Sequence, residues 1–256
     1  DKLQKEVDFL DQHAEFSLCF HNVQKIYVDS SQPPSLYCSE TQKAVSGLDD
    51  LLAENFVPTC SIVYRRSALP VIPAWTTSLP MLDWSLLVLL AEQGPIGYLN
   101  DVMGAYRIHA GGIWSHQRYL QKLVGSIQFL TVYRDGQVGA GDAAGLSARI
   151  EAQIGRFWQI VYQELCDRVE SVATVEEAVR FLDQETAKFP SNAQLPAHLR
   201  RKLYGQVYAM HGFRYYRSGD FTKTRYCWHR AILNDVSWIK NRGVLSIYLK
   251  SLVGAR

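Results

Sequence analysis

No CxxC pair occurs among the five cysteines, which stand alone at positions 19, 38, 60, 166 and 227. An odd, widely spaced set of this kind suggests neither a disulfide framework nor a zinc site, and points to a reducing, cytoplasmic compartment. A secretory leader is missing from the residues in hand: DKLQKEVDFL is charged and amphipathic, without an apolar core or a cleavage site. No stretch approaches ~20 uninterrupted apolar residues, so no membrane-spanning helix is expected. No repeat recurs at a fixed period. Acids become scarce toward the C-terminus, where only Asp220 and Asp235 follow His198 against twelve Lys or Arg, a balance of +10. The preceding part holds fifteen bases and twenty-three acids, or −8, so the net +2 conceals a mildly acidic body and a strongly basic end. An anionic surface is the partner such an end suits.

What is present is ordinary globular material: 256 residues, 47% hydrophobic and 20% charged, enough for one large domain or two modest ones. Residues 2–13 read as a helix with Leu3, Val7 and Leu10 on one face, followed by short β-like runs, FSLCF and KIYV. A Ser/Pro/Gln-rich loop over 29–46 leads to a short helix at 48–54 and a strand at 60–64. The run DWSLLVLLAEQ is helical and stops at Gly94-Pro95, and two strands, PIGYL and VMGAYRI, come next. Beyond Ser115 the texture turns helical, with helices expected at 116–134, 145–170, 174–188, 198–217, 221–234 and 237–252. The Gly-rich segment 135–145 reads as a boundary or hinge, and Ser218-Gly219-Asp220 as the turn of a helical hairpin of the tetratricopeptide kind near 198–234.

Three segments in order, KLQKEVDFL with SLCFHNV, NFVPTCSIVYRR, and LPMLDW followed by IGYLNDVMGAYRIHAGGIWS, resemble the second half of the catalytic domain of family-two, GT-A type inverting glycosyltransferases. The resemblance covers about residues 1–116 and implies an α/β GT-A domain there, acceptor-side part only, with an all-α accessory region over 117–256. It places the nucleotide-holding elements and the acidic DxD metal motif ahead of the KLQ helix, so this chain is expected to be a truncated and inactive part of an active parent. It further implies a nucleotide-sugar donor, a hydroxyl acceptor (glycan, lipid-linked or protein), a divalent cation (Mn²⁺ or Mg²⁺) and a place in cell-envelope polysaccharide synthesis.

Inverting transfer requires a base for the acceptor hydroxyl and a cationic hold on the departing diphosphate. By the resemblance Asp83 is the base; as a bare sequence feature it reads first as a helix N-cap, though Leu86 denies it a capping-box partner. Trp84 could flank a sugar ring, and Thr59 and Ser61 could hydrogen-bond an acceptor. Arg107 suits phosphate oxygens, or a structural salt bridge. His109, at a strand end before Gly111-Gly112, suits a donor phosphate or the cation, or an ordinary hydrogen bond. Trp114 could stack on the acceptor or anchor its loop. Cys60 has no local nucleophile constellation and reads as a small buried thiol.

The basic end interleaves its charges with Tyr204, Tyr208, Tyr215, Tyr216, Trp228, Trp238 and Tyr248. That mixture fits lipid headgroups at the inner face of a membrane, or a helical bundle with aromatic cores and solvated bases; no nucleic-acid motif accompanies it. The rival to the enzyme reading is a non-catalytic helical interaction module.

Overall fold

The computed structural model describes every residue except 29, 80, 113–116, 138–144, 189–192 and 254–256, with Ser78 and Val253 described in their backbone only. The described chain has a mixed α/β first part and a helical second part, and divides into two compact units. The first unit comprises residues 1–122 and 128–154, and the second 123–127 and 155–256. The first unit thus runs past the expected boundary at 116.

Helix α1 (Lys2–Gln12) is capped by Asp1, whose carboxylate accepts the Leu3 N–H at 3.1 Å. Strand β1 (Leu18–Tyr27) follows; FSLCF and KIYV are one strand rather than two. Its first six residues are buried, because both faces of the sheet are covered there. On one face Cys19 joins Leu10 and Phe16, and on the other Phe20 meets the rings of Phe56 and Tyr98. The apolar face of α1 differs from the expectation. Leu3 and Val7 are exposed, while Glu6 and Leu10 are buried and Phe9 packs against the core. Phe9 reaches the sheet because position 97 lacks a side chain: a Cβ on Gly97 would stand 2.3 Å from the Phe9 ring.

The remaining strands are β2 (Ser35–Leu36), β3 (Val45–Ser46), β4 (Ile62–Tyr64) and β5 (Ile96–Ile108). The sheet order is β2-β1-β5-β3, with β4 pairing the first residues of β1. β1 and β5 run parallel, with register shifts on either side of Asn22. Those shifts let PIGYL and VMGAYRI form one 13-residue strand where two were expected. The crossover between β1 and β5 carries α2 (Leu48–Ala53) and α3 (Leu82–Ala91). α3 is apolar on nearly every side and has Trp84, Ser85 and Leu87 to Leu90 buried, the state such a helix must reach.

The two ends of α4 (Tyr119–Gly136), without Leu123–Ile127, and the first part of α5 (Leu146–Cys166) close this unit. Phe129 stacks on Trp84 at 4.3 Å, Tyr133 donates its hydroxyl hydrogen bond to Glu92, and Arg149 pairs with Asp49 at 2.9 Å. These contacts explain why the unit passes residue 116.

The second unit contains α6 (Val172–Thr186), α7 (Ala197–Arg217), α8 (Phe221–Asn234) and α9 (Arg242–Val253). The hairpin expected at 218–220 is present: Gly219 takes φ +77°, a conformation glycine adopts without strain, and Asp220 caps α8 through the Lys223 N–H. Trp228 is fully buried with Ala209, Ala231 and Val244, and Phe213 meets it edge-on at 4.8 Å. A short helical turn, Val236–Lys240, leads into α9, which begins five residues later than expected.

Candidate active site

Asp83 lies in the first turn of α3, but the helix begins at Leu82 with Met81 as its N-cap. Asp83 is therefore not the cap that its residue type suggested. Its Oδ1 accepts the N–H of Trp84 at 2.9 Å, and its Oδ2 accepts the Thr59 hydroxyl at 2.9 Å. Thr59 opens a short helical turn, Thr59–Ser61, that Lys2 anchors by donating from Nζ to the Cys60 carbonyl at 3.0 Å. One polypeptide crossing and one helix start thus fix both carboxylate oxygens while leaving the side chain half-buried.

Two phenols that the sequence did not single out feel the Asp83 charge. Tyr37 and Tyr106 meet edge-to-face at 5.5 Å, and both are half-buried. Burial above all pushes both phenols upward; for Tyr106 the Asp83 charge is the next cause, and for Tyr37 Asp83 adds to Tyr106 and Cys38. Both therefore stay protonated and offer an aromatic edge and an O–H. The available signal was the two-residue period of β5, which sets Tyr106 on the face opposite Arg107.

The other expected site residues separate into three groups. Thr59 is at the site, exposed, with its hydroxyl directed to Asp83. Ser61 and Trp84 are not presented to an acceptor. Ser61 is fully buried and donates to the Pro58 carbonyl at 2.7 Å, whereas Trp84 is 2% exposed, donates Nε1–H to the Leu51 carbonyl at 3.0 Å and stacks on Phe129. Their polar groups are used by the core, which corrects the acceptor role expected of them. Arg107 is exposed on β5 opposite Ile26, on the other side of the strand from Tyr106. His109 is exposed just after β5; its carbonyl accepts the Gly112 N–H at 3.0 Å and its ring lies over Gly111. Trp114 lies outside the described residues. Cys60, expected to be buried, is exposed beside Thr59.

Among the described residues no three His, Cys, Asp or Glu side chains group as a cation site. No helix among them is long and apolar enough to cross a membrane.

A second polar cluster lies under the sheet. Glu6 of α1 and His21 of β1 are both fully buried, with Oε1 3.9 Å from Nε2. His21 Nδ1 stands 2.7 Å from the Asn22 carbonyl, which can only accept, so Nδ1 carries the proton and Nε2 is bare in the neutral ring. Burial raises the Glu6 carboxyl, partly opposed by Lys2, and lowers the His21 imidazole, partly opposed by its bond to Asn22. The short separation would suit an ion pair, but burial works against it on both sides, disfavouring the Glu6 carboxylate and the His21 imidazolium alike. Cys19, donating to the Glu6 carbonyl at 3.6 Å, is pushed by burial up to about 12 and stays a thiol.

No family model and no solved structure matches the chain. Over 122 residues, 47% of the chain, it is 40% identical to the uncharacterized protein Rv1520 of Mycobacterium tuberculosis (strain ATCC 25618 / H37Rv) and equally to the uncharacterized protein Mb1547 of Mycobacterium bovis. The aligned stretch covers 34% of each relative, so the chain matches about a third of the length of these curated relatives.

Proposed function

We propose that the protein to which this chain belongs is an inverting, GT-A type glycosyltransferase that moves a sugar from a nucleotide donor to a hydroxyl acceptor, with Asp83 as the general base. The observation carrying this reading is the Asp83 carboxylate itself. It is half-buried and oriented through both oxygens, by the Thr59 hydroxyl and the Trp84 N–H. A carboxylate so held can accept the acceptor's proton as the hydroxyl oxygen attacks the anomeric carbon. Thr59 holds Oδ2 in a fixed direction, and the Tyr37 and Tyr106 rings supply faces and edges against which a sugar can lie. Donor contacts are assigned to Arg107 and His109 on the resemblance alone, and the DxD ligands of the cation belong by the same resemblance to another part of the protein.

The test is Asp83→Asn in the full-length protein. The amide oxygen can still accept from Trp84 N–H, and its NH₂ can donate to the Thr59 oxygen, so the local geometry has a hydrogen-bonded substitute. Turnover should fall ~10²-fold or more while melting temperature and donor affinity hold, the usual scale of lost general-base help. Near-normal turnover in the Asn variant would remove the base and, with it, this reading.

A further inference from the structure

The helical unit ends in a surface that the transfer reaction does not use. In α9, Leu245, Leu249 and Leu252 are 39%, 51% and 48% exposed, although Val244 and Ser251 of the same helix are fully buried. At about 100° per residue the three leucines fall within about 60° of one another, a stripe distinct from the buried face. Arg242 lies about 20° beyond Leu249 on the same wheel, with Lys250 further round, and both are exposed. The turn before α9 adds exposed Val236, Ile239 and Lys240.

Charge decides what such a stripe is suited to meet. Neither α8 nor α9 contains an acidic residue, while together they carry Lys223, Arg225, Arg230, Arg242 and Lys250. Of the two acids nearest in sequence, Asp220 accepts from Lys223 N–H at 3.0 Å and pairs with Lys223 Nζ at 2.9 Å, and Asp235 accepts from Ser237 N–H at 3.0 Å, which leaves the surplus of positive charge with Arg225, Arg230, Arg242 and Lys250. A nucleic-acid backbone would satisfy the bases and leave three leucines in water. An apolar protein groove would take the leucines without using the one-signed charge. An anionic bilayer surface takes both, since leucines enter the acyl boundary while Arg and Lys extend to the headgroups.

We infer that α9 is an interfacial helix that seats the protein on an anionic lipid surface through Leu245, Leu249 and Leu252, with Arg242 and Lys250 at the headgroups. The inference rests on the helical unit alone and stands or falls independently of Asp83.

Co-sedimentation of the full chain with vesicles tests it, using phosphatidylcholine alone and phosphatidylcholine with about 30% phosphatidylglycerol. The wild type should partition ~10-fold or more in favour of the anionic vesicles, and added salt should weaken that preference. Leu245→Gln/Leu249→Gln/Leu252→Gln, which keeps good helix formers at exposed positions, should lower partition ~10-fold or more with unchanged circular dichroism and melting temperature. Arg242→Glu/Lys250→Glu should abolish the preference for anionic over neutral lipid. Equal partition on the two vesicle types overturns the inference, as does a triple-glutamine variant that binds like the wild type. Light scattering that shows a wild-type dimer dissolved by the triple variant also overturns it, because a second copy would then be the occupant.

Discussion

Replacing Glu6 by Gln should make the protein more stable at neutral and alkaline pH, the opposite of what deleting one member of a buried ion pair would do. Both Glu6 and His21 are fully buried, and Glu6 Oε1, Glu6 Oε2 and His21 Nε2 have no hydrogen-bond partner among the described residues. Burial raises the Glu6 carboxyl in the folded state. A raised acid contributes stability that is complete below the ordinary Glu range, near pH ~4.3, and is lost as pH climbs through the raised value. His21 works on the other side: its lowered imidazole contributes fully above about pH 6.5 and loses stability as pH falls through the lowered value. Gln cannot ionise, and its NH₂ keeps a donor facing the bare Nε2. The stability difference, Glu6→Gln over wild type, should therefore be small near pH ~4 and grow with pH, by about 1.4 kcal/mol for each tenfold weakening of the acid by burial. It should then level off. Urea unfolding from pH 4 to 9 measures the difference, and long-range ¹⁵N–¹H correlation of the imidazoles checks that His21 carries its proton on Nδ1. A pH-independent loss of ~3–5 kcal/mol at neutral pH would show instead a charged Glu6–His21 pair and refute the reasoning.

Gly97→Ala should cost ~1–3 kcal/mol, because its Cβ would stand 2.3 Å from Phe9; pairing it with Phe9→Leu should recover part of that loss, and simple additivity would place the clash elsewhere. Cys60 should react first with a small alkylating reagent, since Cys19, Cys38 and Cys227 are buried and Cys166 is partly so. A bulky maleimide at Cys60 of the full-length protein should block turnover by crowding Asp83 across Thr59; full activity after complete labelling would place the acceptor elsewhere.

Much of the element order was legible because it depends on local pattern. Helices α7 and α8 fall within a residue of their expected bounds, since Ser218-Gly219-Asp220 supplies both a left-handed stop and a side-chain cap. Where partners decide the structure, local pattern misled. On α1 the apolar residues Leu3 and Val7 lie outside while Glu6 lies inside, because the facing sheet offers a recess at Gly97 for Phe9, and rotating the helix to fill it carries Glu6 under β1. Likewise, the interruption expected within 96–108 is absorbed by the irregular pairing beside Asn22, a feature that needs both strands to be known.

The candidate site divides along the same line. Asp83 was legible as a carboxylate at a helix start, but whether it caps the helix depended on which residue the helix begins with, and a start at Leu82 puts the cap at Met81, two residues earlier. Trp84 beside it looked equally available and is not. Period 3.6 turns Trp84 toward Leu51 and Phe129, so its indole holds α3 in place while Asp83, one residue back, is left facing Thr59. The consequence is a division of labour between neighbours: burying Trp84 fixes the helix whose first turn orients the carboxylate. Tyr37 and Tyr106 then come from a loop and a strand that only the folded sheet brings together. A sequence pattern can nominate the acid, but the aromatic surroundings that would give it a sugar to act on arise from pairing β1 with β5.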